Sequence, residues 1–413
     1  MNKAFRFRSI WSIDIVLGME CYTYPTPRDI NIEECVSRCI DSYIPRPRGF
    51  IVSEVLKAGS LRNLIASSKM ETIDRTHVIY AVEKIDIDTL SLVRWLSSLM
   101  KCSRYRVKGL KEAKAIAYQL VELMMCREPK PYIETPKFKA IALNLSDDEL
   151  WHVGNEFSIS IQLNKQCYEQ CVKPLLKTLH RHRYVLNFYG YQRFGTRRPV
   201  THLVGKALIA RLWDEAVEII CGFPHPHESP DARKARLLFI EGRYKESAKL
   251  FRRLGLWIEY KLCRALSRGS SSLEALRALP RHVLMLYVNA FQAYLFNRIL
   301  STKWLQCLES RDYDECLNMF KNVNIAVPGY KCTDVDEDVY RLLRLEDVDI
   351  EMFRIDELKI AAEGSKRKVL VEVKDFDVQL NSMLRVEFVL DRGSFATTVL
   401  REFMRFTNPY NLS

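Results

Sequence analysis

Alternating runs of apolar and polar residues between positions 48 and 125 predict short strands separated by helices. The strand patterns are GFIVSEVL (49–56), HVIYAVEK (77–84) and YRVKG (105–109). The helical patterns are DIDTLSLVRWLSSLMK (86–101) and EAKAIAYQLVELMM (112–125). We therefore predict mixed α and β structure in this part of the chain.

The clearest strand lies at Glu156–Leu163, where apolar and polar residues alternate strictly. Phe157, Ile159 and Ile161 share one face, which is predicted to be buried, while the other face is predicted to be exposed to solvent or to line a cleft. Strand patterns return at KVLVEVKDF (368–376) and MLRVEFVL (383–390), and the chain closes with a predicted helix that Ser394 can cap.

Between Val204 and Leu279 the pattern is helical throughout, apart from a break at FPHPHESPD. Because β patterns lie on both sides of this stretch, the sequence predicts an α+β domain interrupted by a helical insertion domain. We place the first part of the α+β domain at residues 1–203, the insertion at 204–278 and the second part at 279–413.

One phrase of the insertion, ARLLFIEGRYKESAKLFRRLG, resembles a tetratricopeptide-type helix pair. An array of that kind needs at least about three stacked repeats, and only one pair is present. The alternative that follows is a protein-interaction adapter in which the basic bias of the chain is incidental. Nucleic-acid binding with a steep salt dependence would exclude that alternative.

Composition narrows the class of partner. The chain has 413 residues, 48% of them hydrophobic, and its net charge of +12 favours a polyanion, either nucleic acid or an anionic membrane. The longest uncharged apolar stretch, Val283–Asn297, is shorter than the roughly 20 residues of a membrane-spanning helix. The N-terminal segment lacks the features of a signal peptide, so we expect a cytoplasmic protein without a membrane partner.

Twelve cysteines and eight histidines are scattered along the chain without a CxxC or HExxH motif. The closest cysteine pairs are Cys35 with Cys39 and Cys167 with Cys171, each on a predicted helix. This pattern predicts no metal site and no disulfide framework.

From Cys171 to Arg211 the chain carries nine basic residues and no acidic one, which makes this stretch a candidate track for phosphate groups. The phrase NFYGYQRFG (187–195) adds four aromatic residues inside it. Cations for the backbone and aromatic faces for the bases are what recognition of unpaired RNA requires. A solvated basic helix followed by core aromatics is the alternative interpretation.

NFYGYQRFG, followed by a helix start with Thr201 and Gly205, resembles a signature of the TruD family of tRNA pseudouridine synthases. GFIVSEVL, LPRHVLMLYVNAFQAYLFNRILS (279–301) and RVEFVLDRGSFATTVLRE (385–402) resemble further family signatures, in order along almost the whole chain. The resemblance implies a mixed, largely antiparallel sheet flanked by helices, with the helical insertion as the other wall of an RNA-binding cleft. It also implies an isomerase that needs no cofactor or metal.

The family's catalytic aspartate lies in a Gly-x-Lys-Asp segment, and the matching residues are Gly109, Lys111 and Glu112. The resemblance assigns Glu112 the family's nucleophilic or proton-abstracting role. Glutamate offers the same carboxyl group, but its extra methylene displaces that group, and misplacement by about 1 Å can cost about 100-fold in rate. An inactive paralogue that binds tRNA is therefore the alternative function.

The resemblance assigns the remaining site residues as well. Lys111 would contact phosphate or orient the carboxylate, and Asn187 would hydrogen-bond near it. Tyr189 would stack on the flipped uracil, with Phe395 as a second aromatic and Arg193 as a further substrate contact.

Upstream, the family's usual acidic and basic residues are replaced by Gly49 and Ile44, while Arg46 and Arg48 offer other phosphate contacts. The implied substrate is a uridine in tRNA, position 13 by resemblance. We expect no DNA partner and a monomer.

Overall fold

The computed structural model describes residues 6–67, 76–109, 111–146, 148–332 and 336–412. They form two compact units, each built from separate chain segments. We call residues 27–185 and 371–412 the sheet unit, and residues 6–26 and 186–370 the helical unit. The domain boundaries predicted at 203/204 and 278/279 are not tested by this division and stay predictions.

The strands of the described residues are, in chain order, β1 (Phe50–Leu56), β2 (Gly59–Ser60), β3 (Val78–Ile85), β4 (Cys102–Val107), β5 (Ile116–Cys126), β6 (Tyr132–Glu134), β7 (Phe138–Leu143), β8 (His152–Ile161), β9 (Tyr184–Leu186), β10 (Asn324–Val327), β11 (Arg354–Ile355), β12 (Ile360–Ala361), β13 (Ser365–Lys368), β14 (Leu370–Glu372), β15 (Lys374–Leu380) and β16 (Leu384–Asp391).

The helices are α1 (Ser12–Val16), α2 (Ile32–Cys39), α3 (Leu61–Ser67), α4 (Thr89–Leu99), α5 (Lys173–His182), α6 (Thr201–Ile209), α7 (Trp213–Cys221), α8 (Pro230–Ile240), α9 (Tyr244–Arg253), α10 (Trp257–Leu266), α11 (Ser272–Arg277), α12 (Arg281–Ser310), α13 (Tyr313–Phe320), α14 (Glu337–Leu345) and α15 (Ala396–Phe403). A π-helical segment, Cys167–Val172, directly precedes α5.

The sheet unit is built on one mixed sheet with the strand order β15-β16-β8-β1-β5-β3-β7-β6. β1 and β5 run parallel, while the other pairs along this path are antiparallel. Two further strands pair off this path, β2 with β1 and β4 with β5. Helices pack on the sheet through buried apolar side chains of α3 and α4. The predicted α+β class, a largely antiparallel sheet flanked by helices, is confirmed.

The segment EAKAIAYQLVELMM was predicted to be helical, and this was wrong, because most of it forms β5. β5 lies in the middle of the sheet, where Ala117, Gln119, Val121 and Leu123 are buried on one face. Leu120 is buried on the other face as well. Burial of both faces places apolar residues at consecutive positions, which hides the period-two pattern of a strand.

Two disulfides, Cys35–Cys171 and Cys39–Cys167, join α2 to the π-helical segment, and we call them the double bridge. Cys102–Cys126 links β4 to β5, and Cys307–Cys316 links α12 to α13. The expectation of no disulfide framework was therefore wrong. Cysteines four residues apart share one face of a helix, and two such faces can meet from distant parts of the chain.

The start of α15 also differs from its prediction. Its N-cap position is held by Phe395 without a side-chain hydrogen bond, so Ser394 does not cap this helix. The predicted apolar face of the helix, Val399, Leu400 and Phe403, is buried.

The helical unit is organised around α12, which packs closely against α6. Gly205 makes this approach possible, since a Cβ there would lie 2.1 Å from the carbonyl oxygen of Tyr287. By length and composition α12 could cross a membrane, and its most apolar 18-residue window is 67% buried inside the protein. α12 is thus longer than the uncharged apolar stretch Val283–Asn297 that was noted in the sequence. The buried core helices of soluble proteins also meet these criteria of length and composition.

Candidate functional site

The predicted catalytic residues Lys111 and Glu112 come shortly before β5 in the sheet unit. The first residues of β5 pair in parallel with β1. β1 contributes Glu54, whose side chain is 1% exposed and accepts a hydrogen bond from the amide of Leu120 at 2.9 Å. A buried carboxylate therefore lies next to the predicted site.

Lys111 is held by this carboxylate. Its Nζ lies 3.0 Å from Oε1 of Glu54 and donates to Oδ1 of Asn155 on β8 at 2.6 Å. Its backbone amide donates to Oγ1 of Thr89 at 3.0 Å. With only 10% of its side chain exposed, Lys111 is fixed at both ends, and its ammonium group is occupied by protein oxygens.

The main chain at Glu112 is anchored by a second lysine. Lys84 is fully buried, and its Nζ donates to the carbonyl oxygens of Glu112 at 2.6 Å and of Ile87 at 2.7 Å. Burial lowers the pKa of Lys84 to about 8, opposed by the charge of Glu112. Lys84 thus fixes the main chain at Glu112, whose side chain is half-buried.

Arg46 is the second cation near Glu112. Its guanidinium lies 4.3 Å from the ring centre of Phe50 and donates to the carbonyl oxygen of Lys114 at 3.1 Å. Burial lowers the pKa of Arg46, and the charge of Glu112 opposes that shift. Arg46 thus lies inside the site, whereas Arg48 is exposed.

Gly49 also has a structural explanation. A Cβ at this position would lie 2.7 Å from Cδ and 2.8 Å from the carbonyl oxygen of Pro45. No side chain fits at position 49 without a shift of the main chain, so this local conformation requires glycine here.

The aromatic phrase NFYGYQRFG lies in the helical unit, where Asn187 is 5% exposed. Its side-chain amide nitrogen donates to the carbonyl oxygen of Lys368 at 3.1 Å. Its Oδ1 accepts from Nη2 of Arg367 at 2.7 Å, and its backbone oxygen accepts from Nε of the same arginine at 3.0 Å. Both ends of the Asn187 amide are therefore engaged within the helical unit.

Tyr189 is held by its main chain and by one ring face. Its backbone amide donates to Oδ1 of Asn297 at 2.8 Å, and its carbonyl oxygen accepts from Nδ2 of Asn297 at 3.1 Å. The guanidinium of Arg367 lies 4.2 Å from the ring centre, and the ring of Phe296 meets it edge-on at 5.5 Å. The phenol ring is thus presented in a fixed orientation.

A cavity of about 370 Å³ lies beside Tyr189, with polar groups of Arg193, Asn289, Gln292 and Ser365 in its lining. The guanidinium of Arg193 is 5.9 Å from the Tyr189 ring centre. Its buried Nε has no hydrogen-bond partner in the part of the chain that the structure describes. Volume and donors suit a planar, polar ligand.

Sequence reasoning missed Arg367, Glu54 and Lys84. Arg367 stands in SKRKVL, where nothing marks it as different from its basic neighbours. The buried carboxylate of Glu54 and the buried ammonium of Lys84 stand in strand patterns, so a charged residue inside an apolar run was the signal that could have revealed them.

The predicted phosphate track is largely used by the fold. Arg198 donates to the carbonyl oxygens of Ile219 and Gly222, and Arg211 donates to that of Met352. Lys206 pairs with Glu346 at 2.8 Å. Charge pattern along the sequence did not distinguish these structural cations from exposed ones.

The predicted site residues are divided between the units. Glu112, Lys111 and Phe395 belong to the sheet unit, and Asn187, Tyr189 and Arg193 belong to the helical unit. Phe395 is partly exposed at the start of α15. Among the described residues, no group of three or more His, Cys, Asp or Glu side chains could hold a metal ion.

Known proteins resemble this chain along its length. The family model for tRNA pseudouridine synthase D (TruD) matches residues 45–315 and 314–403. The "Probable tRNA pseudouridine synthase D" of Saccharolobus solfataricus is 31% identical over 406 residues, or 95% of this chain and 97% of the relative. The same-named protein of Pyrobaculum islandicum is 30% identical over 389 residues, covering 88% and 92%. A TruD-type crystal structure from Methanosarcina mazei has a TM-score of 0.65 at 24% identity, covering 98% of this chain and all of that one, and shares the fold.

Proposed function

We propose that this chain, which belongs to the TruD family of tRNA pseudouridine synthases, isomerises a uridine in tRNA to pseudouridine. The site of modification that we propose is position 13, and the place of action the cytoplasm, with the protein acting as a monomer. The reaction breaks the bond between N1 of uracil and the ribose, turns the base, and rejoins it through C5.

The observation that carries this proposal is the setting of Glu112. Lys84 donates to its carbonyl oxygen at 2.6 Å, and its side chain interacts electrostatically with the half-buried Arg46 and the buried Lys84. A carboxylate held in place in this way can act as a nucleophile or accept a proton. We assign that role to Glu112.

The other predicted residues take supporting roles in the proposal. Because the Lys111 ammonium is engaged by Glu54 and Asn155, we assign it the orienting role rather than a phosphate contact. Asn187 is likewise a positioning residue, since Arg367 and the Lys368 carbonyl occupy its amide.

Binding of the target base falls to the aromatic loop and its cavity. Tyr189 would stack on the flipped uracil through the part of its ring that Arg367 leaves open. Arg193 would donate to the nucleotide from the cavity wall, because its side chain is part of the cavity lining beside Tyr189. Phe395 is a second stacking candidate from the sheet unit.

Glutamate at the position of the family's aspartate favours a second candidate, an inactive paralogue that binds tRNA. The hydrogen bond from Lys84 holds the main chain at Glu112. The backbone therefore cannot easily recede to compensate for the extra methylene of the glutamate side chain. A carboxylate displaced by about 1 Å would slow the reaction about 100-fold.

The experiment incubates purified protein with an unmodified tRNA transcript and maps pseudouridine by chemical derivatisation. We expect product at one uridine, abolished by Glu112→Gln and unaffected by Glu128→Gln, an exposed glutamate of the same unit paired with Lys101. The absence of product at stoichiometric protein, with tRNA still bound, would establish the inactive paralogue. A faster Glu112→Asp variant would show that the longer side chain limits the rate.

A further inference from the structure

One face of α10 carries an aromatic residue and cations at helical spacing. Trp257, Lys261 and Arg264 follow at intervals of four and three residues, and Arg268 continues the row in the turn after the helix. All four are exposed, and 44% of Trp257 is accessible to solvent. The fold does not use this row to pack α10 against its neighbour.

The packing face of α10 lies elsewhere on the helix. The thiol of Cys263 contacts Oγ of Ser247 on α9 at 3.6 Å, and Leu262 beside it is fully buried. These packing contacts do not involve the exposed Trp257 or the cations that follow it on α10.

Tyr260 connects the row on α10 to α9. Its ring centre lies 6.0 Å from the guanidinium of Arg252 on α9 and 6.0 Å from that of Arg264, which also donates to its hydroxyl at 3.3 Å. The ammonium of Lys261 lies 5.2 Å from the ring of Trp257. We name this surface the basic-aromatic face; its residues are Arg252, Trp257, Tyr260, Lys261, Arg264 and Arg268.

The charge of this face is not neutralised nearby. Residues 243–268 include eight basic and two acidic residues, and both acidic ones pair elsewhere. Glu246 binds Arg243 at 2.6 Å, and Glu259 binds the buried Arg236 at 3.3 Å. Within the described residues, no carboxylate lies within 4.0 Å of a cation of the face.

We propose that the basic-aromatic face is an RNA-binding surface that holds tRNA through residues other than those of the Glu112 and Tyr189 clusters. The base of an unpaired nucleotide stacks on Trp257, and neighbouring phosphates contact Lys261, Arg264 and Arg268. The identity of the RNA rests on the proposed function. A protein or lipid partner fits less well, because a single exposed tryptophan is too small an apolar patch for either.

The test measures the affinity of the full-length protein for fluorescein-labelled, unmodified tRNA by anisotropy at several salt concentrations. Lys261→Glu combined with Arg264→Glu reverses two charges of the face. Arg233→Glu combined with Lys234→Glu is the matched control, since it makes the same charge change at exposed positions of α8 in the same unit. Trp257→Ala and Trp257→Phe separate stacking from charge.

We expect the face reversal to weaken binding at least about 10-fold more than the control and to lower the slope of log affinity against log salt by roughly 1.4–1.8, as for two phosphate contacts. Trp257→Ala should weaken binding about 5- to 100-fold, and Trp257→Phe much less, because phenylalanine keeps an aromatic face. Thermal melting confirms that each variant is folded; the charge variants alter exposed residues only, so they remain informative if Trp257→Ala does not fold.

Equal weakening by the face reversal and its control would overturn the proposal, since net charge alone would then account for binding. Unchanged binding in all variants would also overturn it. Mapping pseudouridine with the wild-type protein in parallel distinguishes this proposal from the proposed function. If the wild-type protein forms pseudouridine but the face variants bind tRNA normally, only the RNA-binding surface is refuted. If the face variants selectively lose tRNA binding but the wild-type protein forms no pseudouridine, the surface is supported and the enzymatic function is refuted.

Discussion

Replacing Arg367 tests whether one half-buried arginine fixes the base-binding loop of the helical unit. Its Nε and Nη2 donate to the two oxygens of Asn187 at 3.0 and 2.7 Å, and its guanidinium lies 4.2 Å from the Tyr189 ring. We expect Arg367→Met to remove these contacts together, and Arg367→Lys to keep a charge but lose the planar fork.

The magnitude follows from those contacts. A hydrogen bond from a charged donor contributes about 1.5–3 kcal/mol, and a desolvated cation–π contact about 2 kcal/mol, with incomplete additivity. Arg367→Met should therefore lower the free energy of unfolding by about 3–5 kcal/mol, and Arg367→Lys by about 1.5–3 kcal/mol. A shift of Tyr189 by about 1 Å would lower kcat about 100-fold.

Urea unfolding measures the first effect, and single-turnover pseudouridine formation the second. Arg354→Lys is the control, because Arg354 is exposed and pairs with the exposed Asp356, an arrangement that contributes little to stability. A positioning role lowers kcat at nearly constant KM. An unchanged urea midpoint together with an unchanged rate in Arg367→Met would refute the reasoning, and a rise in KM alone would indicate a phosphate contact instead.

Three further predictions concern protonation and redox state. Burial lowers the pKa of His202 from 6.5 to about 4, so the unfolded chain binds more protons than the folded one between these pH values. The free energy of unfolding measured in urea should therefore fall by about 3 kcal/mol as the pH is lowered from 6.5 to 4, and His202→Phe should not show this part of the decrease. Lys84 loses its proton above about pH 8, so pseudouridine formation should decline there, and an alkaline limb that persists unchanged in Lys84→Met would contradict the assignment. Treatment with a reductant should lower the free energy of unfolding of the wild-type protein by about 2–5 kcal/mol more than that of a variant with Cys35→Ser and Cys39→Ser, which keeps Cys102–Cys126 and Cys307–Cys316 but lacks the double bridge.

Local periodicity was sufficient to predict several elements. β1, α4 and β8 were predicted close to their observed bounds, because each has one buried face that the pattern of apolar residues records. β5 was mistaken for a helix because side chains on both of its faces are buried, in two separate core clusters. The error is therefore tertiary in origin, since nothing within the segment says what will pack on each face.

The candidate site shows the same division. Lys111 and Glu112 were proposed from a motif that is contiguous in the sequence, whereas Glu54 and Arg367 contact partners far along the chain. Arg367 lies 180 residues from Asn187 in sequence. A local pattern carries no information on such a pairing, and the basic residues that it did highlight include Arg198, which serves the fold.

The pairing of β8 with β16 has a consequence for synthesis of the protein. Ile161 of β8 pairs with Leu384 of β16, so roughly 220 residues are translated after β8 before its second neighbour exists. At about 5–20 residues per second, that edge of the nascent sheet stays unpaired for roughly 10–45 s. An open strand edge is a template for pairing with other chains, so the ribosome-bound intermediate is the stage at which this protein is most exposed to aggregation.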